Sequence, residues 1–416
     1  MKIEKQSPKL ITPSNPTHPT LRRYKLGFTD EFIFGVEVGV VLFFPANNPN
    51  SAARLETSLK KTLTRFYPLA GRYVEEIQTV DCNDQGAEFR YATASIKLKD
   101  YLVSDVNFEF VDDFFPSKVG AAVSLLACQV TTFECGGVAF GVSISHRVGD
   151  ASTLCTFINE WAVINREENN ETEFTGPGFN SSVLFPARGL SPVPVQRMTD
   201  DMLRKYTRRK VVFSESVISN MKAKSTRQWS RTQVASAIIW KTFMFADLAM
   251  RGQRRESAHI QPVNLRERMG SLIPKDSCGN MVGLSVTECK SLETTIEELA
   301  DRLTESVKRT ISNFSKVRQD DEEGQEMVLN SLSNMINWPQ STNVVVTSSW
   351  CSFPFYEVDF GFGKPIWAAP WNIPGNDVTF FMGDGEGKGV NAYVCLQDKY
   401  VPYFEQALQQ INAFVV

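Results

Sequence analysis

The chain has 416 residues, room for about two to three average domains and a sizeable core. With 42% hydrophobic and 22% charged residues it has the composition of an ordinary globular protein. A formal net charge of −3 without a basic stripe argues against nucleic acid or an anionic membrane as a main partner.

The opening MKIEKQSPKLITPSNPTHPT lacks the apolar segment of a signal peptide. The run FIFGVEVGVVLFFPA contains Glu37 and is too short to span a bilayer as a helix, so membrane insertion is not expected. SAARLETSLKKTLTRFYP carries apolar residues at helical spacing, with Pro68 as its stop. VSLLACQVTTF and GVAFGVSIS read as strands joined in a hairpin at Glu134-Cys135-Gly136-Gly137. ASTLCTFINEWAVI then places Leu154, Phe157, Ile158 and Trp161 on one helical face. Residues 166–198 lose this periodicity and are rich in Pro, Gly, Asn and Ser, which reads as a long crossover between two domains. The boundaries follow as a first domain over 1–175, a crossover over 176–210 and a second domain over 211–416.

In the second part, RTQVASAIIWKTFMFADLAM and SLETTIEELADRLTESVKRTISNF read as helices. The latter has acidic residues early and Lys308 and Arg309 late, as the helix dipole prefers. Asp320 to Glu323 reads as a solvated loop. VTFFMG and GVNAYVCL flank GDGEGK as a hairpin; a phosphate loop there is one residue short, with Gly389 where Ser or Thr is required. YFEQALQQINAFVV reads as an amphipathic helix with Phe404, Leu408, Ile411 and Phe414 on one side. The eight cysteines are scattered without a CxxC pair, so they read as reduced residues of a cytoplasmic protein.

Candidate chemistry centres on SISHRVGD, because the chain has only three histidines. In the preceding strand Val138, Phe140, Val142 and Ile144 form a bulky face. Ala139, Gly141, Ser143 and Ser145 form a small one, open to close approach. His146 ends the strand, Gly149 allows an unusual backbone, and Asp150 sits where a helix N-cap belongs. A core histidine satisfied by backbone, a metal pair with Asp150 and a general base all fit these residues. The pair lacks a third ligand: His18 lies in a Pro-rich tail and His259 in a charged stretch read as a loop. A Ser145–His146 nucleophile pair is disfavoured, because neighbours in a strand point to opposite faces. No GxSxG elbow occurs.

SHRVGD matches the HxxxD motif of the plant BAHD acyltransferases, and Asp359-Phe360-Gly361-Phe362-Gly363 resembles their second motif, DFGWG. FYPLAGR (66–72), FECGGVAFGVSISH (133–146), NLRERM (264–269) and SSWCSFPFYEVDFGFGKP (348–365) are also similar to that family, so the resemblance covers the whole chain. It implies an α/β (α+β, mixed-sheet) fold of two chloramphenicol-acetyltransferase-like domains around a central solvent channel, with the segment near 355–380 crossing to the first domain. It implies His146 as the general base, and by position Ser348 and Trp350 as oxyanion donors, against a purely structural role for those two. It implies a pairing of Asp150 with Arg266 that supports the His146 turn, and a structural role for Asp359, Gly361 and Gly363. Ser230, Arg231 and Thr232 match the region that meets CoA; a simple helix cap is the other reading. Phe362 departs from the family's tryptophan, which predicts altered loop packing with the chemistry retained.

The activity so implied is acyl-CoA-dependent O-acylation of a specialised plant metabolite by a cytoplasmic monomer. It needs no permanent cofactor and no metal, with a small-molecule alcohol and acyl-CoA as partners. Acetyl-CoA is the expected donor, because Ser277-Cys278-Gly279-Asn280-Met281 stands where malonyl-using members carry YFGNC. N-acylation, a metal-dependent hydrolase on His146 and Asp150, and a non-catalytic binding protein of the same fold are the rivals.

Overall fold

The structure is a computed structural model that describes all residues except 34–35, 46–47, 104–106, 117–123, 167–176, 191–204, 270–271, 319–320, 334–337, 372–377, 386 and 416, and the side chains of 49, 107–110, 412, 414 and 415. The chain divides into two compact units. The first comprises Met1–Val195, Pro274–Met281 and Phe353–Trp371; the second comprises Gln196–Ile273, Val282–Ser352 and Asn372–Val416. Much of the stretch read as a crossover lies outside the described residues. Within it, Gly178–Phe179 forms a short strand parallel to Ser277–Cys278, and Ser181–Leu184 a single helical turn.

The first unit is built on a seven-stranded mixed sheet. Its order is Ile3–Lys5, Ala87–Ala94, Leu126–Phe133, Val138–Ser145, Glu37–Phe44, Trp367–Pro370, with Lys9–Ile11 also on Ala87–Ala94. The run FIFGVEVGVVLFF thus contributes a central strand, which its apolar, β-branched composition suits. The helices Pro49–Arg65 and Ala151–Arg166 form where periodicity places them. Leu154, Phe157, Ile158 and Trp161 are all fully buried. Each such burial stabilises by about 1.5–3 kcal/mol, several times the intrinsic propensity of any one residue, so packing rather than propensity holds this helix.

The bulky face of Val138–Ser145 meets those helices; Phe140 lies 5.0 Å from Trp161. The small face is not open. Its occupant is the chain's own segment ending at Phe114 and Phe115: a Cβ on Gly141 would stand 2.2 Å from the Phe114 carbonyl oxygen. At Gly141 the small face therefore admits the protein's own backbone.

The second unit holds a six-stranded mixed sheet in the order Tyr206–Phe213, Val390–Gln397, Val378–Gly383, Asn343–Ser349, Ser257–Asn264, Val282–Cys289. Val378–Gly383 and Val390–Gln397 form the expected hairpin. The helices Arg231–Arg251 and Ile296–Phe314 start at capping boxes, Ser230 with Gln233 and Thr295 with Glu298. The C-terminal helix Val401–Val415 buries Phe404 and Ile411. Two expectations are corrected here. Glu322 and Glu323 open a helix, Glu322–Ser333, rather than lying in a loop, because Val328 and Leu332 give it a buried side. His259 is a fully buried strand residue, with Thr347 Oγ1 3.0 Å from Nε2 and its ring beside Trp240.

Burial lowers the pKa of His259 to about 3. Its native pKa lies below the unfolded value of 6.5, so the unfolded chain gains a proton that the native chain refuses. Stability carried by this residue is full above about pH 6.5 and falls toward pH 3 by up to about 1.4 kcal/mol per pH unit. His259→Gln should flatten that fall, read as the difference in urea midpoint between neutral and mildly acidic buffer; an unchanged slope would refute the linkage.

Candidate active site

His146 follows directly on the strand Val138–Ser145. Its backbone N–H donates to Val36 O (2.8 Å), and Val148 N–H closes a turn onto Ser145 O (3.0 Å). Gly149 serves this turn by space and not, as expected, by an unusual φ, which is not left-handed; a Cβ there would lie 2.5 Å from Thr153 Cγ2. Asp150 is buried and caps the following helix, Oδ1 accepting from Thr153 N–H at 2.9 Å and from its hydroxyl at 3.2 Å. Its Oδ2 accepts from Met281 N–H at 3.2 Å. Arg147 turns aside, its guanidinium 4.6 Å from the Tyr73 ring.

The imidazole is held by Asn280. Nδ1 of His146 lies 2.9 Å from Asn280 Oδ1, and Asn280 Nδ2 donates to the His146 carbonyl at 2.7 Å. Asn280 Nδ2 also donates to Asp30 Oδ1 at 2.9 Å, as does its backbone N–H at 2.8 Å. Two acceptors around Nδ2 fix which way the amide points, so Oδ1 must face the ring. A carbonyl oxygen can only accept, so Nδ1 of His146 carries the proton and Nε2 keeps its lone pair. Burial lowers the His146 pKa; its own backbone, Asp150 and Asn280 act against that shift. The ring is therefore neutral, and able to take a proton, at neutral pH.

Behind Asn280 the network continues inward. Asp30 is fully buried in the short helix Phe28–Glu31 and accepts at Oδ2 from Gly27 N–H (3.0 Å) and the Ser181 hydroxyl (2.5 Å). Ser181 in turn lies 2.8 Å from the Tyr24 hydroxyl. Burial raises the Asp30 pKa, with the Ser181, Asn280 and Gly27 donors acting against it. Gly279 makes this approach possible: its φ of +118° is closed to other residues, and a Cβ would stand 2.9 Å from Ser181 Cβ. Its N–H and C=O both bond the Thr153 hydroxyl at 3.1 Å.

The DFGFG loop also belongs to the first unit. Asp359 Oδ1 accepts from the N–H groups of Gly361 (2.7 Å) and Gly363 (3.0 Å). Phe360 is fully buried against Phe140 and Trp161, and its carbonyl accepts from Asn165 Nδ2 at 2.7 Å. Gly361 has φ +94°, and a Cβ there would meet Ser51 Oγ at 2.2 Å.

The remaining candidates lie in the second unit. Ser348 is the penultimate residue of the strand Asn343–Ser349, and the Trp350 indole N–H donates to its hydroxyl oxygen at 3.3 Å. Ser230 Oγ caps Gln233 N–H, Arg231 donates to the carbonyls of Cys351 (2.7 Å) and Gly389 (3.4 Å), and Thr232 Oγ1 lies 3.0 Å from Ser349 Oγ. Arg266 is buried, and its Nη1 and backbone N–H both donate to Asn264 Oδ1. Among the described residues no cluster of three His, Cys, Asp or Glu is placed to hold a metal ion, and no helix is long and apolar enough to cross a membrane.

A family model described as the transferase family matches residues 1–411. The chain belongs to that family, the plant BAHD acyltransferases. Among BAHD relatives it is 33% identical to a pelargonidin-glucoside malonyltransferase of Salvia splendens, over 98% of this chain and 99% of that one. It is 30% identical to vinorine synthase of Rauvolfia serpentina over 94% and 93%. The crystal structure of vinorine synthase superimposes with a TM-score of 0.85 at 28% identity, covering 99% of this chain and 98% of that one. F. sporotrichioides TRI101 with coenzyme A and T-2 shares the fold, with a TM-score of 0.66 at 16% identity over 92% and 97%. The fold is the mixed α/β type expected, and the BAHD activity of this chain is acyl-CoA-dependent transfer to a hydroxyl.

Three residues escaped the sequence reading: Asp30, Ser181 and Asn280. In the sequence Asn280 stands only within Ser277–Met281, a stretch that departs from YFGNC. Its signal was a lone amide beside a glycine in a short run, which names no partner without a fold.

Proposed function

We propose that this BAHD enzyme transfers acetyl, or another short acyl group, from CoA to a hydroxyl of a specialised plant metabolite, with His146 as general base in a ternary complex. The observation that carries the reading is the imidazole itself, with Nδ1 held by Asn280 and Nε2 left as the proton acceptor. Nε2 takes the hydroxyl proton as the oxygen attacks the thioester carbonyl. The tetrahedral oxyanion collapses, the C–S bond breaks, and the CoA thiolate leaves with the imidazolium as its proton source. A thiol of pKa roughly 8.5 is a good leaving group, so no covalent acyl-enzyme is required.

Ser348 is the proposed oxyanion donor. Its oxygen already accepts the Trp350 indole N–H, which leaves its own proton to donate. Ser277 and Cys278 in place of the malonyl-type Tyr and Phe support acetyl as the donor group, although the Salvia splendens relative is a malonyltransferase. Parallel assays of acetyl-CoA and malonyl-CoA against a panel of alcohols and amines, read as released CoA thiol, decide donor and acceptor. A cytoplasmic monomer belongs to the same reading; eight free cysteines suit a reducing compartment, and light scattering reads the mass.

His146→Ala should lower kcat by at least about 10²-fold with little change in Tm. In the unmodified enzyme the acid limb of kcat/KM should have its midpoint below 6.5, since burial lowers the pKa of the base. Near-normal turnover of the variant, or a limb above that value, would overturn the assignment. Incubation with acetyl-CoA alone should leave the intact mass unchanged, and a stoichiometric acetyl adduct that turns over with acceptor would replace the ternary mechanism. Ser348→Ala should reduce kcat more than it raises KM; the reverse pattern would make Ser348 a binding residue.

A further inference from the structure

Asp30 has no place in the proton transfer above, yet it is a fully buried carboxylate on which four donors converge. Three of the four are N–H groups, which can only donate, so both of its oxygens are committed as acceptors. Two of the four belong to Asn280, its backbone N–H and its side-chain Nδ2, both at Oδ1. Resting on the reading of His146 as base, we infer that Asp30 is a positioning residue for catalysis: by accepting both Asn280 donors it fixes the Asn280 amide, which in turn holds His146 as the Nδ1–H tautomer with Nε2 free.

The argument is one of complementarity. The Asn280 amide can enter its site in two orientations related by a flip. In the observed one, Nδ2 faces two acceptors, Asp30 Oδ1 and the His146 carbonyl, and Oδ1 faces the ring. The flipped amide would set its oxygen against both acceptors and turn its NH₂ to Nδ1. The ring would then protonate at Nε2 and lose the lone pair that catalysis uses. The His146 carbonyl alone would still bias the amide, but the backbone N–H of Asn280 would be buried without a partner, and the Ser277–Met281 segment would lose one of its anchors, leaving those at Gly279 and Met281. Ser181 and Gly27 hold the far oxygen of Asp30, so the carboxylate cannot swing away.

Three measurements test this. ¹⁵N spectra of the unmodified, histidine-labelled enzyme, with the signal assigned by its loss in His146→Ala, should show His146 protonated at Nδ1; an Nε2–H ring overturns the inference. Asp30→Ala should lower kcat by at least about tenfold with KM barely moved and a second tautomer in the spectrum. Asp30→Asn, whose side-chain oxygen can turn toward Asn280 and accept both donors while its amide nitrogen stands against Gly27 N–H, should recover part of that loss. Asp30→Ala with normal kcat and a single Nδ1–H tautomer refutes the role, as does Asp30→Asn with the full loss. Should Asp30→Ala fail to fold, the spectra of the unmodified enzyme and of Asp30→Asn carry the decision. A switched tautomer with unchanged turnover would instead sink the general-base reading while leaving the positioning intact, so the two failures are distinct.

Discussion

The amide of Asn280 is the point on which the His146 end of the first unit depends. It bonds the imidazole and the carbonyl of one residue, at the end of a strand 134 positions earlier, and the buried carboxylate of another, 250 positions earlier. A single side chain thus closes three distant stretches onto one point. Closing such long loops costs entropy that grows only slowly with length, so a few well-satisfied bonds in a dry site suffice to hold them. This is the physical reason why Pro274–Met281 packs with the first unit although its chain neighbours on both sides belong to the second. Gly279, Thr153 and Asp150 complete the grip on the same five-residue stretch, Asp150 through Met281 N–H and Thr153 through both polar groups of Gly279.

The capping aspartate and the base are consequently supported by one segment but through different atoms. Asp150 uses its carboxylate on the helix start and on Met281. His146 uses Nδ1 on Asn280. An aspartate four residues from a histidine invites a direct pairing of the two, but the helix claims the carboxylate. The N–H groups of a first helical turn have no partner within the helix, and an N-cap acceptor typically contributes about 0.5–2 kcal/mol. The arrangement places a neutral amide against the ring, and the Asp30 carboxyl stands one residue further back, behind that amide.

What was legible in the sequence was local. Periodicity of 3.6 located the helices at 49–65, 151–166, 231–251 and 296–314, and alternation located the hairpin that delivers His146. Those signals need only neighbours in the chain. The misreadings have the opposite character. The small face of Val138–Ser145 looked open because nothing near it in sequence covers it; its cover comes from the segment ending at Phe115. His259 looked like a loop residue because charged residues precede it, yet it pairs across to Thr287 and lies beside Val345 in a sheet assembled from distant strands. Asp30 and Asn280 carry no periodic signal, since a buried polar contact is specified by geometry that only the tertiary fold supplies.

The same distinction explains why Phe362 can stand where the family motif has tryptophan. The loop's path is set by groups other than that ring. Asp359 gathers the N–H groups of Gly361 and Gly363, Gly361 takes a left-handed φ against Ser51, and Phe360 is the residue driven into the core between Phe140 and Trp161. Phe362 lies over this anchor, its ring inclined 30° to Phe360 at 6.1 Å and edge-on to Phe44 at 5.6 Å. Both contacts need an aromatic face and neither needs a donor. An indole at this nearly buried position would bring an N–H that requires an acceptor, whereas a phenyl ring carries no such demand. The substitution therefore alters what the loop must satisfy at its rim and leaves its anchor untouched, which is why the turn can keep its shape with a smaller ring.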